Sequence, residues 1–261
     1  MQDLSNKTAL VTGASSGLGE AFARDLAARG ANLVLVARRK DRLETLAAAL
    51  AAERGVTVRV EAVDLASEAA RQSLADRLAA DGVNVDLLVN NAGFGVWGNF
   101  VDVAWERERD MLELDVVALV HLTKLFVRPM VARGWGRVLQ VASVGAYQPS
   151  PTYAAYSAAK SFVLFFGEAL QYELRGTGVT CTVVSPGVTA TEFLQVAQQT
   201  PTAYQRRAMM QAPEVAAAGV GAMLRGRASI VPGVMNAVAA WMALRLLPRQ
   251  TAAGITARLM H

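Results

Sequence analysis

Seven short, almost wholly apolar runs punctuate the chain, at 8–12, 32–37, 56–62, 86–90, 136–142, 179–185 and 228–231. Their length and their apolar residues on both faces read as fully buried strands. Between them, apolar residues recur at intervals of three and four and predict helices over 17–29, 40–54, 68–81, 103–133, 153–177 and 212–225. Strand and helix alternate throughout. That order predicts an α/β fold with a parallel sheet, helices on both faces and right-handed crossovers, in which ligands bind beyond the carboxyl ends of the strands.

Two helical stretches, 111–131 and 156–174, carry more apolar surface than one sheet face can cover, so a helical interface between subunits is expected. Residues 190–211 are rich in Gln, Thr and Ala and suit a mobile lid, whereas 232–261 form an apolar C-terminal extension. Arg245 interrupts the longest apolar tract before it reaches the ~20 residues that a membrane crossing requires, which leaves lying on a bilayer, capping a pocket or packing on another subunit.

A length of 261 residues with 53% apolar composition suits one domain over 1–261 with one substantial core. The formal charge of +4 is scattered, with no basic run to track a nucleic-acid backbone. Cys181 is the single cysteine, so no intramolecular disulfide can form, and its apolar neighbours predict a buried thiol. Asp3 and Lys7 lead straight into the first strand without a signal-peptide pattern, and a cytoplasmic location is the simplest expectation. His121 lies on an apolar helix with only His261 besides it, so no metal site is expected.

The chemistry sits at the strand ends. The first strand runs into Thr12-Gly13-Ala14-Ser15-Ser16-Gly17-Leu18-Gly19, where glycines let backbone approach a pyrophosphate and a helix N-terminus offers free N–H groups. The bland alternative is a helix-entry turn without ligand. The second strand ends at Ala37, followed by Arg38, Arg39 and Lys40, where an NAD site would place an acid; a guanidinium there suits a 2′-phosphate instead, or else opens the next helix as a charged first turn. Asp64 and Leu65 follow the third strand, and Asn90-Asn91-Ala92-Gly93 the fourth, where adenosine and ribose would lie; either segment is equally compatible with a plain turn.

Tyr156 and Lys160 are spaced to share one helix face, with Ser143 a loop upstream. A carbonyl accepting hydride needs a proton on its oxygen, and a phenol of ordinary pKa about 10 is a reluctant partner unless a cation such as Lys160 favours the phenolate. Ser143 can hold the same oxygen.

Together these motifs resemble the short-chain dehydrogenase/reductase family over residues 7–193, ending in Ser185-Pro186-Gly187 with Thr191 beyond. The resemblance implies a Rossmann-type, doubly wound, seven-stranded parallel sheet and a homodimer or homotetramer built on the two long helices. It implies Tyr156 as acid/base, Lys160 also on the nicotinamide ribose, Ser143 steadying substrate, Pro186, Gly187, Val188 and Thr191 along the nicotinamide, and Arg38 marking NADP(H). The tail after Val231 resembles a bacterial branch of the family with poorly defined substrates.

One position departs from the pattern. Where the family usually has asparagine in Leu-Asn-Val, supporting a water that relays protons to the lysine, this chain has Leu114-Asp115-Val116. An ionised Asp115 would pair with Lys160 and weaken its influence on Tyr156; a protonated one would mimic the amide donor. Activity is expected to persist with a shifted pH optimum.

Phe94, Val96, Trp97, Tyr147, Gln148, Tyr153, Phe193 and Leu194 are expected around the mouth of a largely apolar pocket. The leading expectation is NADPH-dependent, reversible reduction of a hydrophobic ketone or aldehyde, with the alternatives of a 3-oxoacyl thioester reductase or a catalytically silent NADP-binding sensor. The partner expected is a small hydrophobic carbonyl or alcohol substrate, and peripheral membrane contact through the apolar C-terminus is compatible with the first of these readings.

Overall fold

The computed structural model describes residues 3–260, so Met1, Gln2 and His261 lie outside the described residues. Strands β1 (Thr8–Thr12), β2 (Asn32–Ala37), β3 (Val58–Ala62), β4 (Leu87–Asn90), β5 (Gly136–Val141), β6 (Val179–Val184) and β7 (Ser229–Ile230) form one sheet in the order β3-β2-β1-β4-β5-β6-β7. Every pairing is parallel. The order reverses between β1 and β4, and a crevice opens there beyond Thr12 and Asn90 because the crossovers on either side diverge to opposite faces.

Period-two alternation sends the strand side chains to two cores. Ala9 and Val11 of β1 face Phe22 and Leu26 of α1 (Gly17–Ala28), Leu43 of α2 (Lys40–Arg54), and Val220 and Met223 further along the chain. Leu10 faces the opposite core with Leu74 of α3 (Glu68–Ala80), Leu122 and Phe126. Each such fully buried Leu or Phe contributes roughly 1.5–3 kcal/mol of transfer free energy, which explains why continuous apolar runs rather than alternating ones mark these strands.

The helix expected over 103–133 forms as one run with a wider turn inside it: α4 (Trp105–Leu112), a π-helical turn over Glu113–Ala118, and α5 (Leu119–Ala132). A buried polar knot fixes the start of α5 just beyond this turn. The Asn90 amide donates to Thr123 Oγ1 at 2.9 Å and Gln140 Oε1 at 3.0 Å, and Thr123 in turn donates to the Leu119 carbonyl at 2.7 Å. Asp115 lies within this turn, and π insertions frequently sit at functional positions.

The helix expected over 153–177 is α6 (Ala154–Glu173), which ends in turns before Gly178. The segment expected to form a lid folds as α7 (Phe193–Val196) and α8 (Ala203–Ala208), the latter begun by a reciprocal Thr202–Gln205 capping box. Then come α9 (Ala212–Leu224), α10 (Val234–Arg245) and α11 (Arg249–Met260), with Pro248 marking the last break.

Candidate active site

The crevice beyond β1 and β4 is a cleft of about 930 Å³ lined from Gly13 at one end to Phe193 and Leu194 at the other. Its floor is knotted by Thr12, whose Oγ1 accepts the Asn91 and Ala92 N–H groups, each at 2.9 Å. Gly13 turns left-handed at φ +66°, which a side chain would resist, and α1 starts at Gly17 with its first N–H groups facing the cleft. Ser15, Ser16, Gly17, Leu18, Asp64, Leu65, Asn91, Ala92 and Gly93 all line it as expected. Gly19 does not. It packs beneath the turn against the Gly13 carbonyl, where any side chain would collide, so its role is to let helix and strand close up.

Beside the turn, the guanidinium that is tied down is Arg39 rather than Arg38. Arg39 donates from Nε to Ser15 Oγ at 3.1 Å, from Nη2 to Ser16 Oγ at 2.7 Å, and from Nη1 to Glu192 Oε2 at 3.0 Å. Arg42 completes the clasp through Nη1 to Glu192 Oε1 at 2.7 Å. Hydrogen bonds from Arg42 and Arg39 hold the Glu192 carboxyl down at about 2, so it stays anionic across any ordinary assay pH. Arg38 lines the same cleft with its side chain exposed. Position along the sequence singled out Arg38 and gave no sign that the lid would bring a carboxylate to its neighbour.

Four side chains converge at the other end. The Ser143 Oγ accepts the Gly145 N–H at 3.1 Å, and Ser143 and Tyr156 line the same end of the cleft. Lys160, one turn along α6 from Tyr156, is buried with Nζ 3.0 Å from Asp115 Oδ2, 3.1 Å from the Val141 carbonyl and 5.7 Å from the Tyr156 ring centre. Asp115 is fully buried, and its Oδ1 accepts the Phe94 N–H at 3.0 Å. Only glycine fits at position 93, where a β-carbon would stand 2.7 Å from that carboxylate oxygen.

Burial pushes the Asp115 carboxyl above its ordinary range, and the Lys160 charge pulls it back. Burial, and then the Asp115 charge, push the Tyr156 phenol up, against the Ser143 hydrogen bond that lowers it. The carboxylate thus offsets the cation that would otherwise favour the phenolate.

Phe94, Gln148, Tyr153, Phe193 and Leu194, expected around a substrate, line the end of the cleft near Tyr156, together with Gln198 and Gln205 from the 190–211 segment. The Tyr156 ring is flanked by Tyr153 and Phe193, with ring centres 5.6 and 5.4 Å away. Val96, Trp97 and Tyr147 do not reach the cleft, contrary to expectation. The Gly98 N–H donates to the Thr152 carbonyl at 2.9 Å and draws the chain after Phe94 away, burying Val96. Tyr147 turns back toward Ser185 and packs on the core that holds Val163 and Leu164. His121 accepts the Arg71 Nε–H at 3.1 Å, a structural partnership inside the helical layer.

A parallel Rossmann-like sheet with a tyrosine, lysine and serine at its switch point defines a class of oxidoreductase. Residues 7–202 match the family model described as short chain dehydrogenase, and the chain belongs to that family. A solved short-chain dehydrogenase from Sphingobium yanoikuyae, in complex with NADPH, is 33% identical and superposes with a TM-score of 0.82 over 95% of this chain and 94% of its own. The bulky-bulky ketone specific alcohol dehydrogenase from Comamonas testosteroni is 30% identical, with a TM-score of 0.79 over 95% of this chain and 93% of its own. A very-long-chain 3-oxoacyl-CoA reductase from Anas platyrhynchos is 31% identical over 80% or less of either chain: 77% of this one and 67% of its own.

Proposed function

We propose that the protein is an NADPH-dependent reductase of hydrophobic ketones or aldehydes, reversible to alcohol oxidation. The observation that carries this reading is the convergence of Ser143, Tyr156 and Lys160 on one end of a cleft walled by Phe94, Tyr153, Phe193 and Leu194. Support also comes from the NADPH held by the Sphingobium relative and the bulky ketones named for the Comamonas enzyme.

The glycine turn and the α1 N-terminus fit a pyrophosphate, and Arg39, with Arg38 and Arg42 beside it, fits a 2′-phosphate. Pro186, Gly187, Val188 and Thr191 border the path of a nicotinamide. NADPH, when bound, would supply the hydride. Ser143 orients the substrate oxygen and stabilises negative charge developing on it. Tyr156 donates its phenolic proton to that oxygen in reduction and accepts it in oxidation. Lys160 holds a positive charge beside the phenol, and Asp115 sets how much of that charge the phenol feels.

A phenol pushed up in pKa keeps its proton over the neutral range, the form that carbonyl reduction uses. The test is NADPH oxidation over aliphatic, aromatic and steroid-like ketones, aldehydes and 3-oxoacyl thioesters, with NADH alongside. Turnover of the bulky carbonyls with NADPH is the expected result; silence on every class with bound NADPH would favour the NADP-binding sensor.

A second reading, reduction of 3-oxoacyl thioesters, is favoured by the Anas relative and is separated in the same panel by preference for the thioesters. The exposed Phe162, Phe165 and Tyr172 of α6, with Val117 and Val131 on the segment leading through α5, support a homo-oligomer through these two helices.

A further inference from the structure

Helix α10 is apolar around its whole circumference apart from Asn236 and Arg245. A helix of that composition is expected to be buried on all sides. One side is: Asn236 donates to the Pro232 carbonyl at 3.1 Å, lies against Gly187 and Met210, and anchors the helix beside the short helical turn Val144–Tyr147. The other side is not. Val234, Met235, Val238, Trp241 and Met242 form an outward stripe at one- and two-turn spacings and remain 81, 87, 51, 56 and 41% exposed. Nine of the nineteen large apolar side chains exposed among the described residues fall within 234–259, a concentration of exposed apolar residues in this one segment.

The charge in this part of the chain is one-sided. After Glu214 the sequence has five arginines, Arg225, Arg227, Arg245, Arg249 and Arg258, and no aspartate or glutamate. Arg245, Arg249 and Arg258 are exposed on or between α10 and α11. We infer that this segment docks the protein on an anionic lipid bilayer, with the α10 stripe and Trp241 seated among the acyl chains and the arginines on lipid phosphates. A short apolar helix that carries a tryptophan and is followed by arginines suits the headgroup boundary, where tryptophan and arginine are favoured, and no described helix is long and apolar enough to cross. A second copy of the chain fits less well. A two-fold interface here would set arginines against arginines without a carboxylate of this segment to answer them.

The anchor adjoins the cleft. The Leu259 carbonyl of α11 accepts the Thr202 hydroxyl at 3.2 Å at the start of α8, and Asn236 borders Gly187 on the cleft wall. Resting on the reductase reading, this places the entrance where a lipophilic carbonyl could pass from the bilayer to Tyr156.

The experiment is co-sedimentation of the full chain with phosphatidylcholine–phosphatidylglycerol vesicles, and with phosphatidylcholine alone, for wild type, Val238→Glu/Trp241→Glu and Arg245→Glu/Arg249→Glu/Arg258→Glu. Circular dichroism and sedimentation equilibrium check fold and mass. Wild type should pellet with the anionic vesicles and far less with phosphatidylcholine. The first variant should stay in the supernatant at unchanged mass. The second should lose more than about tenfold in partitioning, since each arginine near an anionic surface accounts for about fivefold. Wild type remaining in the supernatant with the anionic vesicles, or the first variant pelleting like wild type, overturns the inference. A loss of oligomer mass in that variant also overturns it and assigns the stripe to a second copy. None of these readouts uses turnover, so the docking claim and the reductase reading fail separately.

Discussion

Lys160 Nζ lies 3.0 Å from Asp115 Oδ2, and both groups are sealed from solvent. An asparagine at this place would offer the ammonium a neutral oxygen; the aspartate offers a charge. The ammonium's field at the phenol is offset by a carboxylate that itself raises the phenol's pKa.

Replacing Asp115 with asparagine therefore lowers the Tyr156 pKa. Alcohol oxidation needs the phenolate, so its rising limb of kcat/KM against pH should move to lower pH by about one unit, the scale of one nearby charge. The falling limb of ketone reduction should move the same way. Profiles coinciding with those of the parent would show that the carboxylate is not felt at the phenol.

The same pair makes a stability prediction. Lys160→Met leaves a buried carboxyl whose folded pKa, already raised by burial, rises further. A raised folded pKa means the native state binds the proton more tightly than the unfolded chain. The variant is thus most stable below the ordinary carboxylate pKa of ~4 and loses stability as pH climbs through the raised value. Near pH 8, urea unfolding should show a deficit of about 3 kcal/mol that shrinks on acidification. Lys160→Met combined with Asp115→Asn should recover much of it.

Arg39 holds Ser15 and Ser16 at the turn, beside the place a 2′-phosphate would occupy. Arg39→Ala should weaken NADPH by on the order of tenfold, as expected for loss of a charge-assisted contact, while leaving NADH nearly unchanged. Equal losses for both, read by fluorescence titration, would reduce Arg39 to a brace for the turn.

Cys181 is fully buried in β6, and burial pushes its thiol up to about 12. Iodoacetamide at pH 8 should leave it unmodified in the native protein and label it after urea unfolding. Rapid native labelling, read by intact mass, would mean that β6 opens readily.

The strands were legible because burial on both sheet faces leaves unbroken apolar runs, and their ends need only glycine, asparagine and serine to show where a ligand site lies. Asp115 was legible as a departure from a pattern, and its ion pair with Lys160 was one of the two states that its chemistry allowed. The π-helical turn carrying it was not. The buried knot of Asn90, Thr123 and Gln140 beside it joins residues from two strands and a helix, and no local spacing reports such contacts. Glu192 was hidden for the same reason: its partners Arg39 and Arg42 lie about 150 positions away. Val96, Trp97 and Tyr147 misled because proximity along the chain to a catalytic motif does not fix the direction of a side chain after Gly95 or within a short helical turn.

The most direct test of the central claim is a single-turnover measurement with Tyr156→Phe, following NADPH absorbance against a bulky ketone that wild type reduces, with NADPH affinity titrated in parallel. The ring and its packing against Tyr153 and Phe193 are retained, and only the proton donor is removed. The account predicts NADPH binding close to that of wild type and a rate lower by about a hundredfold or more, the usual scale of general acid catalysis. Hydride transfer at the wild-type rate would contradict it and move the proton donor elsewhere in the cleft.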